Sequence, residues 1–371
     1  MNGWRHEPFD IVIADESAGN LKTPQSEFLP SGRYAIVDQG KELVAGYTND
    51  ESRLCRARLP VIVFGDHTRC FKYVDFPFCM GADGVKVLRP KVEADVKYLY
   101  HYLRQVPLTE GGYDRHFKYL KRTSVALPPL PEQRRIAEIL DKADALRAKR
   151  RAALAQLDTL TQSIFLDMFG DPIANPRRFP VRPMIELVDS ARPISYGILM
   201  PGPDQPEGIK YVRVVDMRDG GIELPGIRKT TEAISNAFRR SLLKPGDLLM
   251  SIRGHVGRFA VVPPELNGAN ITQDTARLAI TGADPVFVRE CLRTQGFQRW
   301  MDKHTKGVAV RGINLGDVKL MPIITPELSE QRRFARLARA ADELKAAARA
   351  AMTKLDALCA SLQHRAFRGE L

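Results

Sequence analysis

The sequence is poor in cysteine and has no long apolar run. Its 371 residues include five cysteines, which are scattered and never form a Cys-x-x-Cys pair. Neither a disulfide framework nor a zinc site is therefore expected. Apolar runs such as residues 59–64 fall far short of the roughly 20 residues that a membrane-spanning helix needs, and residues 1–30 lack a signal-peptide pattern. The sequence predicts a cytoplasmic protein with reduced thiols and no membrane partner.

Sequence patterns of catalysis are absent as well. No Gly-x-x-x-x-Gly-Lys-Ser/Thr phosphate loop occurs, and no Asn-Pro-Pro-Tyr or Asp-Pro-Pro-Tyr string of the kind found in adenine methyltransferases. The seven histidines show no spacing suited to a metal ion. Glu343 and Lys345 form a nuclease-like Glu-x-Lys, but residues two apart do not share a helix face. We therefore predict a chain that is not an enzyme and binds no metal or cofactor itself.

The charge of the chain is moderately positive. Lys and Arg number 56 against 44 acidic residues, a net charge of +12, and the isoelectric point is about 9.5. Clustered cations displace counterions from phosphates, which favours a polyanionic partner. The excess is spread thinly, however, and a merely basic soluble protein would have the same composition. Charge alone leaves both interpretations open.

The strongest pattern is an internal repeat with an offset of 198 residues. Residues 127–146 (LPPLPEQRRIAEILDKADAL) correspond to a stretch that ends with residues 329–344 (SEQRRFARLARAADEL). Both copies contain Glu-Gln-Arg-Arg, and every apolar position of the first has an apolar counterpart in the second. These positions are Ile136, Ile139, Ala143, Leu146, Ala153, Leu157, Leu160 and Ile164, matched by Phe334, Leu337, Ala341, Leu344, Ala351, Leu355, Leu358 and Leu362.

The three-then-four spacing of these positions predicts one long helix in each copy. Pro131 or Ser329, beside an acidic first turn, is a good helix start. The apolar stripe is too narrow for a buried globular helix, so each helix needs a partner. The other copy is the nearest one, so we expect an intramolecular coiled coil, in which antiparallel pairing would relate the two halves by a pseudo-twofold axis. Arg150 is the one break in the stripe, and it could either set the register or extend to solvent.

The regions before the two helices also correspond. Two short strand patterns followed by polar turns are matched, residues 34–47 with 211–222 and residues 59–69 with 245–258. A further strand, a helix and a basic loop follow in each half, and the basic loops are 113–122 and 311–320. We therefore predict four segments, in which a domain of strands and helices is followed by a long helix in each half: 1–125, 126–170, 171–325 and 326–371.

The Glu-Gln-Arg-Arg helix starts, placed after two such domains, resemble the specificity subunits of type I restriction-modification systems. YAIVDQGKELVAGY, VIVFGDHTR, YVRVVDMRDG and GDLLMSIRGHVGR are also similar to the strand-and-loop signatures of that family's target-recognition domains. No single pattern is diagnostic, but the same order occurs twice. The resemblance covers the whole chain.

The resemblance implies a fold, a function and partners. The fold would be mixed α/β target-recognition domains in tandem, each followed by a long helix of the antiparallel pair. The function would be recognition of double-stranded DNA, with two methyltransferase (M) subunits docked on this framework and restriction (R) subunits completing the assembly. S-adenosylmethionine, ATP and magnesium would belong to those partners, and this chain would choose the sequence.

Two readers held by a stiff helix pair should recognise two half-sites separated by an unread spacer. Because the two domains differ far more than the two helices, we expect an asymmetric target. Our candidate DNA-binding residues come from the matched polar loops and basic segments, where Arg suits guanine, Asn suits adenine and Lys suits phosphate. They are Asp66, His67, Thr68, Arg69, Arg115, His116 and Lys118 in the first domain, and Arg253, His255, Arg258, Lys306, Arg311 and Asn314 in the second.

Other interpretations of these residues and of the chain stay open. Several candidates could be surface charges or turn-forming groups, Asp66 and Asn314 in particular. His67 and His255 occupy equivalent loops, where DNA contact is favoured over catalysis because no nucleophile partner is evident. The alternative for the whole chain is a coiled-coil adaptor or scaffold, whose two domains bind ligands other than DNA.

Overall fold

The computed structural model describes residues 4–81, 84–108, 115–218, 220–307 and 311–371. The chain divides into two compact units. The first unit comprises Met1–Arg151 with Ala351–Leu371, and the second comprises Ala152–Ala350. Each unit thus contains one α/β region and a part of each of two long helices.

The first α/β region contains nine strands and three short helices among its described residues, and a long helix follows it. The strands are β1 (Arg5–Pro8), β2 (Ile13–Asp15), β3 (Tyr34–Val37), β4 (Gly46–Thr48), β5 (Val61–Gly65), β6 (Phe71–Val74), β7 (Phe78–Met80), β8 (Val85–Pro90) and β9 (Ser124–Leu127). The helices are α1 (Phe9–Val12), α2 (Val96–Gln105), α3 (Phe117–Leu120) and the long α4 (Leu130–Phe169).

The second α/β region repeats this plan with additions. Its strands are β10 (Val181–Pro183), β11 (Ser195–Tyr196), β12 (Ile209–Val212), β13 (Met217–Arg218), β14 (Gly221–Ile222), β15 (Lys229–Thr230), β16 (Leu248–Ser251), β17 (Phe259–Val261), β18 (Asn270–Ile271), β19 (Thr275–Leu278) and β20 (Pro322–Ile324). Its helices are α5 (Glu232–Ala237), α6 (Pro285–Arg293), α7 (Gln295–His304), α8 (Leu315–Lys319) and the long α9 (Leu328–Ala366).

The two regions have the same sheet topology. A four-stranded antiparallel sheet has the order β2-β8-β5-β6 in the first and β11-β19-β16-β17 in the second. A three-stranded sheet has the order β4-β3-β7 in the first and β15-β12-β18 in the second, and its second pair is parallel in both. The mixed α/β fold predicted from the sequence is confirmed, and so is its duplication.

One central strand of each four-stranded sheet, β5 in the first and β16 in the second, is buried along its whole length. All five residues of β5 (VIVFG) and all four of β16 (LLMS) are buried. A short run of β-branched and apolar residues suits a strand that is covered on both faces. Each central strand therefore leads directly from a hydrophobic core into the polar loop that follows it.

A buried glutamine joins each long helix to its α/β region. In α4, the Gln133 side chain donates to the Pro128 carbonyl at 2.8 Å and accepts from the Asp95 N–H at 2.9 Å. In α9, Gln331 makes the same two bonds, to the Pro326 carbonyl at 2.8 Å and from the Asp284 N–H at 3.0 Å. These bonds explain the glutamine of the repeated Glu-Gln-Arg-Arg.

The aspartates held by these glutamines are helix caps. The Asp95 carboxylate accepts from the Tyr98 N–H at 2.9 Å at the start of α2, and Asp284 accepts from the Val286 N–H at 2.9 Å at the start of α6. Such a cap satisfies a backbone donor that has no partner inside the helix. The glutamine thus connects the long helix to the start of the domain helix in both units.

The two long helices run antiparallel in each unit. In the first unit, Arg135 of α4 contacts the Leu371 carbonyl, whereas Arg147, three turns later, contacts Asp356 at 2.7 Å. Residue numbers thus increase along α4 in the direction in which they decrease along α9. In the second unit, Asp158 pairs with Lys345, and Phe165 lies 5.3 Å from Phe334 between ring centroids. The predicted antiparallel pairing is confirmed.

The predicted apolar stripe is only partly buried. Ile136 and Phe334, near the start of each helix, are fully buried in the cores of their units. Leu146 and its repeat counterpart Leu344 are 46% and 55% exposed. Leu160 and Leu358, another matched pair, are 37% and 56% exposed. Arg150 is exposed too, so its charge lies in solvent.

We predict that Gln331→Leu destabilises the second unit by about 2 kcal/mol, because it leaves a buried N–H and a buried carbonyl without partners. Urea unfolding followed by circular dichroism measures the loss as a lower midpoint. The exposed neighbour provides the control, since Arg332→Leu should change the free energy of unfolding by less than about 0.5 kcal/mol. Equal effects of the two changes would contradict the role assigned to the glutamine.

Candidate functional site

Asp66 holds together three segments at the end of the central strand β5. Its N–H donates to the Gly84 carbonyl at 2.7 Å, and its carbonyl accepts from the His116 N–H at 2.9 Å. Its carboxylate accepts from the Phe117 N–H at 2.7 Å, at the start of α3. Asp66 is buried. It therefore positions the loop after β5 against the segment that leads to the long helix.

The rest of this loop is attached to the turn after β3. The Thr68 hydroxyl donates to the Gln39 carbonyl, and the His67 N–H donates to the Gln39 side chain at 3.4 Å. Arg69 has a φ of 60°, a conformation that costs energy for a residue other than glycine. Thr68 and Arg69 are exposed, and His67 is half-buried. Hydrogen bonds thus hold the base of the loop in place, and the Arg69 cation is exposed at its tip.

The basic segment before α4 lies beside this loop. Arg115 and Lys118 are exposed, whereas His116 is buried. Two further lysines, which the sequence analysis did not select, lie over the Phe117 ring: the Lys86 and Lys121 ammonium groups are 4.9 Å and 5.2 Å from its centroid. Lys121 belongs to the basic loop 113–122 recognised in the sequence, whereas Lys86 joins this group only because β8, α3 and the β5 loop meet in the fold.

A cavity of about 410 Å³ opens next to Asp66. Arg115, Lys86 and Asp15 are among its lining residues, and Lys86 pairs with Asp15 at 2.8 Å. Burial raises the pKa of Asp15, but the hydrogen bonds from Lys86 and Ser17 outweigh it and hold that pKa below its usual value. Asp15 thus neutralises one of the cations at the rim of this cavity.

The second unit has an equivalent loop after β16. The carbonyl of Ile252 accepts from the Ile313 N–H at 3.0 Å, as the carbonyl of Asp66 does from His116. Arg253 forms a β-bridge with Gly312, and Lys306 forms another with the same glycine. The Gly254 N–H donates to the Arg311 carbonyl at 2.9 Å. The fold therefore brings Arg253, Lys306 and Arg311 into one small strand-like platform.

A cavity of about 560 Å³ lies at the base of this loop. His255 and Arg258 line it together with Arg218 and Arg293, which the sequence analysis did not select. The Arg258 guanidinium donates to the Val214 carbonyl at 3.4 Å, while His255 is exposed. Arg218 lies on β13, within the YVRVVDMRDG signature, and Arg293 lies on α6. The two residues meet the loop after β16 only in the fold. The wall of this cavity is rich in cations.

The remaining candidates of the second unit have structural partners. The Asn314 side chain accepts from the Asp317 N–H at 2.9 Å and caps α8. The Arg311 guanidinium lies 3.1 Å from the Asp302 carboxylate, although both side chains are largely exposed. Asn314 thus has the turn-forming role that the sequence left open, and an exposed ion pair of this kind is weak enough to exchange for another anion.

The fold groups the candidate residues into two faces. We call the loop of residues 66–69 with Arg115 and Lys118 the first face, and residues 253–258 with Lys306 and Arg311 the second face. Asp66 and His116 lie beneath the first face rather than on it. Contact with DNA stays a prediction for each of these candidates.

Within the described ranges, no group of three or more His, Cys, Asp or Glu side chains is arranged to hold a metal ion. Among the same residues, no helix has both the length and the apolar composition that crossing a membrane requires.

The chain is similar to known specificity subunits. A family model described as the type I restriction modification DNA specificity domain matches residues 22–156. The type I restriction enzyme EcoBI specificity subunit of Escherichia coli is 30% identical over 402 residues, which cover 97% of this chain and 79% of that protein. The EcoR124I/EcoR124II specificity subunit of Escherichia coli is 33% identical over 132 residues, or 32% of this chain and 33% of that protein.

Solved structures show the same fold. The type I restriction-modification S subunit from M. genitalium gives a TM-score of 0.62 at 14% identity and covers 99% of this chain and 97% of its own. A chain from a structure of type I R-M complex assembly and conformational transition gives 0.58 at 19% identity, with coverages of 100% and 99%. Duplicated α/β regions with paired long helices define a two-domain specificity scaffold. This chain belongs to the family of type I restriction-modification specificity subunits.

We predict that Asp66→Ala destabilises the first unit by roughly 1–3 kcal/mol, because a buried N–H at the start of α3 loses its acceptor. Asp66→Asn keeps a side-chain oxygen there and should lose less than half as much. Urea unfolding of both variants measures the difference. If the two variants lost the same stability, Asp66 would act through its charge instead of through this hydrogen bond.

Proposed function

We propose that this chain is the subunit that reads a bipartite, asymmetric DNA target and directs partner methyltransferase and restriction subunits to it. One observation carries the proposal. Each unit places a cation-bearing loop at the end of the same central strand and bonds it to the segment before a long helix. In the proposed division, residues 1–125 and 171–325 are the recognition domains and residues 126–170 and 326–371 the helical segments.

The two faces offer different chemistry to DNA. On the first face, Arg69 lies at the tip of a loop that also contains a histidine and a threonine. On the second face, Arg253 lies on a platform with Lys306 and Arg311. Arginine pairs in bidentate fashion with guanine, and lysine mostly meets phosphate. Different side chains on equivalent frames support two unlike half-sites.

In this proposal, the partner subunits would carry out the catalysis. The chain acts in the cytoplasm and catalyses nothing, while S-adenosylmethionine, ATP and magnesium bind to the M and R subunits. Two M subunits would dock, one for each copy of the repeat. The exposed pairs Leu146 with Leu344 and Leu160 with Leu358 support this stoichiometry, because each apolar position occurs twice at equivalent places.

The first prediction from this proposal concerns the target. Co-expression with an M subunit of the same system and mapping of methylated adenines should give a split motif with a fixed spacer. Arg253→Ala should relax one base of one half-site and weaken binding about 10- to 100-fold, and Arg69→Ala should act on the other half-site. A continuous motif, or an unchanged motif in both variants, would count against bipartite reading and favour an adaptor.

A second prediction concerns docking of the M subunits. Leu344→Glu, which puts a charge on an exposed apolar position, should reduce the amount of M subunit that co-purifies with the chain. Ser361→Glu is the matched control on the same helix, because Ser361 is exposed and polar and the change in charge is the same. Circular dichroism should show that both variants keep the wild-type fold. An undiminished yield of M subunit with Leu344→Glu would exclude this part of the helix from the interface.

A further inference from the structure

Strand β19 carries an arginine where the other unit has a valine. In the second unit Leu249 of β16 faces Arg277 of β19, and in the first unit Val63 of β5 faces Val87 of β8. The next residue of each central strand matches as well. Met250 is the last residue of β16 that pairs with β17, and Phe64 is the last residue of β5 that pairs with β6. Val87 is part of an apolar cluster. Arg277 is only 1% exposed at the equivalent place.

Arg277 is charged, buried and incompletely bonded. Its guanidinium donates to the carbonyls of Arg192 at 3.3 Å, Pro193 at 3.0 Å and Arg240 at 2.8 Å. Its Nε has no hydrogen-bond partner among the described residues. Burial, together with the neighbouring charge of Arg192, lowers its pKa. The charges of Asp247 and Asp189 offset part of this effect, but the hydrogen bonds of the Arg277 guanidinium go to backbone carbonyls. A buried cation without a directly bonded anion is costly.

Arg277 borders a cavity of about 530 Å³ whose charged walls are all basic. Arg192, Arg239, Arg240 and Lys244 also line it, and no carboxylate is among the lining residues. The charge of Arg192 is neutralised by Asp247, because its guanidinium donates to the two carboxylate oxygens of Asp247 at 2.8 Å and 2.6 Å. Arg239, Arg240 and Lys244 are exposed, and their side chains make no ion pair with a described residue. The cavity therefore presents uncompensated positive charge around a buried guanidinium.

We propose that this cavity binds a phosphate group, supplied by the backbone of the bound DNA. The proposal rests on the function proposed above. Guanidinium and ammonium groups converging on one cavity match the charge and the several acceptor oxygens of a phosphate. A base edge would instead need acceptors as well as donors for its recognition.

The position of the cavity suits a backbone contact. Lys244 precedes β16 and Arg253 follows it, so the cavity and the second face lie at opposite ends of this strand. Four residues of strand span about 13 Å, which is close to the ~12 Å width of the DNA major groove. In this proposal, a duplex that lies along β16 would meet both places. Since Val87 replaces Arg277 in the first unit, only the second half-site would gain this contact.

The test uses the full chain in complex with its M subunit. Arg240→Ala/Lys244→Ala removes two cations from the cavity and leaves the buried Arg277 in place. Arg178→Ala/Arg228→Ala is the matched control, because both residues are exposed in the same unit, outside the cavity, and the change in net charge is equal. DNA affinity is measured from 50 to 300 mM salt, on target and on unrelated duplexes.

Two results are expected from the cavity variant. Its affinity for both duplexes should fall by the same factor, and the slope of log affinity against log salt should become shallower by about 1 relative to the control. The methylated motif should stay unchanged, because a backbone contact carries no sequence information. A cavity variant that behaves as the control does in slope and affinity would overturn the DNA contact.

A second measurement distinguishes the source of the phosphate. Inorganic phosphate should raise the melting temperature of the wild-type complex above that in chloride of equal ionic strength, and the cavity variant should lose this increase. The cavity variant could lose the increase in melting temperature while its slope of log DNA affinity against log salt equals that of the control. This result would assign the cavity to a free phosphate compound and overturn the backbone contact. No increase in the wild type, together with an unchanged slope, would overturn the site altogether. Failure of all DNA binding would refute the proposed function, whereas the melting experiment would still test the cavity.

Discussion

The buried amides of Gln133 and Gln331 are the contacts on which the arrangement of each unit depends. Each amide bridges the proline-containing segment before a long helix and the capping aspartate of a domain helix. The long helix, the domain helix and the sheet edge are thereby tied through two hydrogen bonds that water cannot replace, because both glutamines are at most 3% exposed. A loop placed by the sheet is thus held at a defined position relative to the start of its long helix.

The same frame carries different surfaces in the two units. The order of both sheets, the pairing directions and the helix caps repeat, whereas the exposed loops and some core positions do not. A surface loop can change its side chains at little cost, since it has few buried contacts to preserve. Arg277 in place of Val87 is a costlier difference, because a charge replaces an apolar core residue. Such a difference indicates a function confined to the second unit.

The long helices combine two demands along one stripe. Near their starts, Phe334 and Ile136 belong to the unit cores, and the aromatic rings of Phe165, Phe169 and Phe287 surround Phe334. Farther along, Leu146 and Leu344 remain substantially exposed. A stripe that two helices cannot bury between themselves retains apolar surface for other subunits. This distribution agrees with a subunit that has a stable fold and that functions within an assembly.

The sequence by itself determined the duplication and the two long helices, because apolar periodicity over several heptads and a repeated Glu-Gln-Arg-Arg are local signals. The mixed α/β class and the antiparallel pairing followed from the family resemblance that these signals carry. It also located the two polar loops, since each follows a run of strand-forming residues. Only the tertiary structure decided which side chains of those loops face solvent: Asp66 and His116 are buried, and Asn314 caps a helix. Lys86, Arg218, Arg293 and the cavity around Arg277 join the candidate surfaces from distant segments. Sequence spacing carries no information about such neighbours, because burial and charge proximity arise when strands far apart in the chain pair in one sheet.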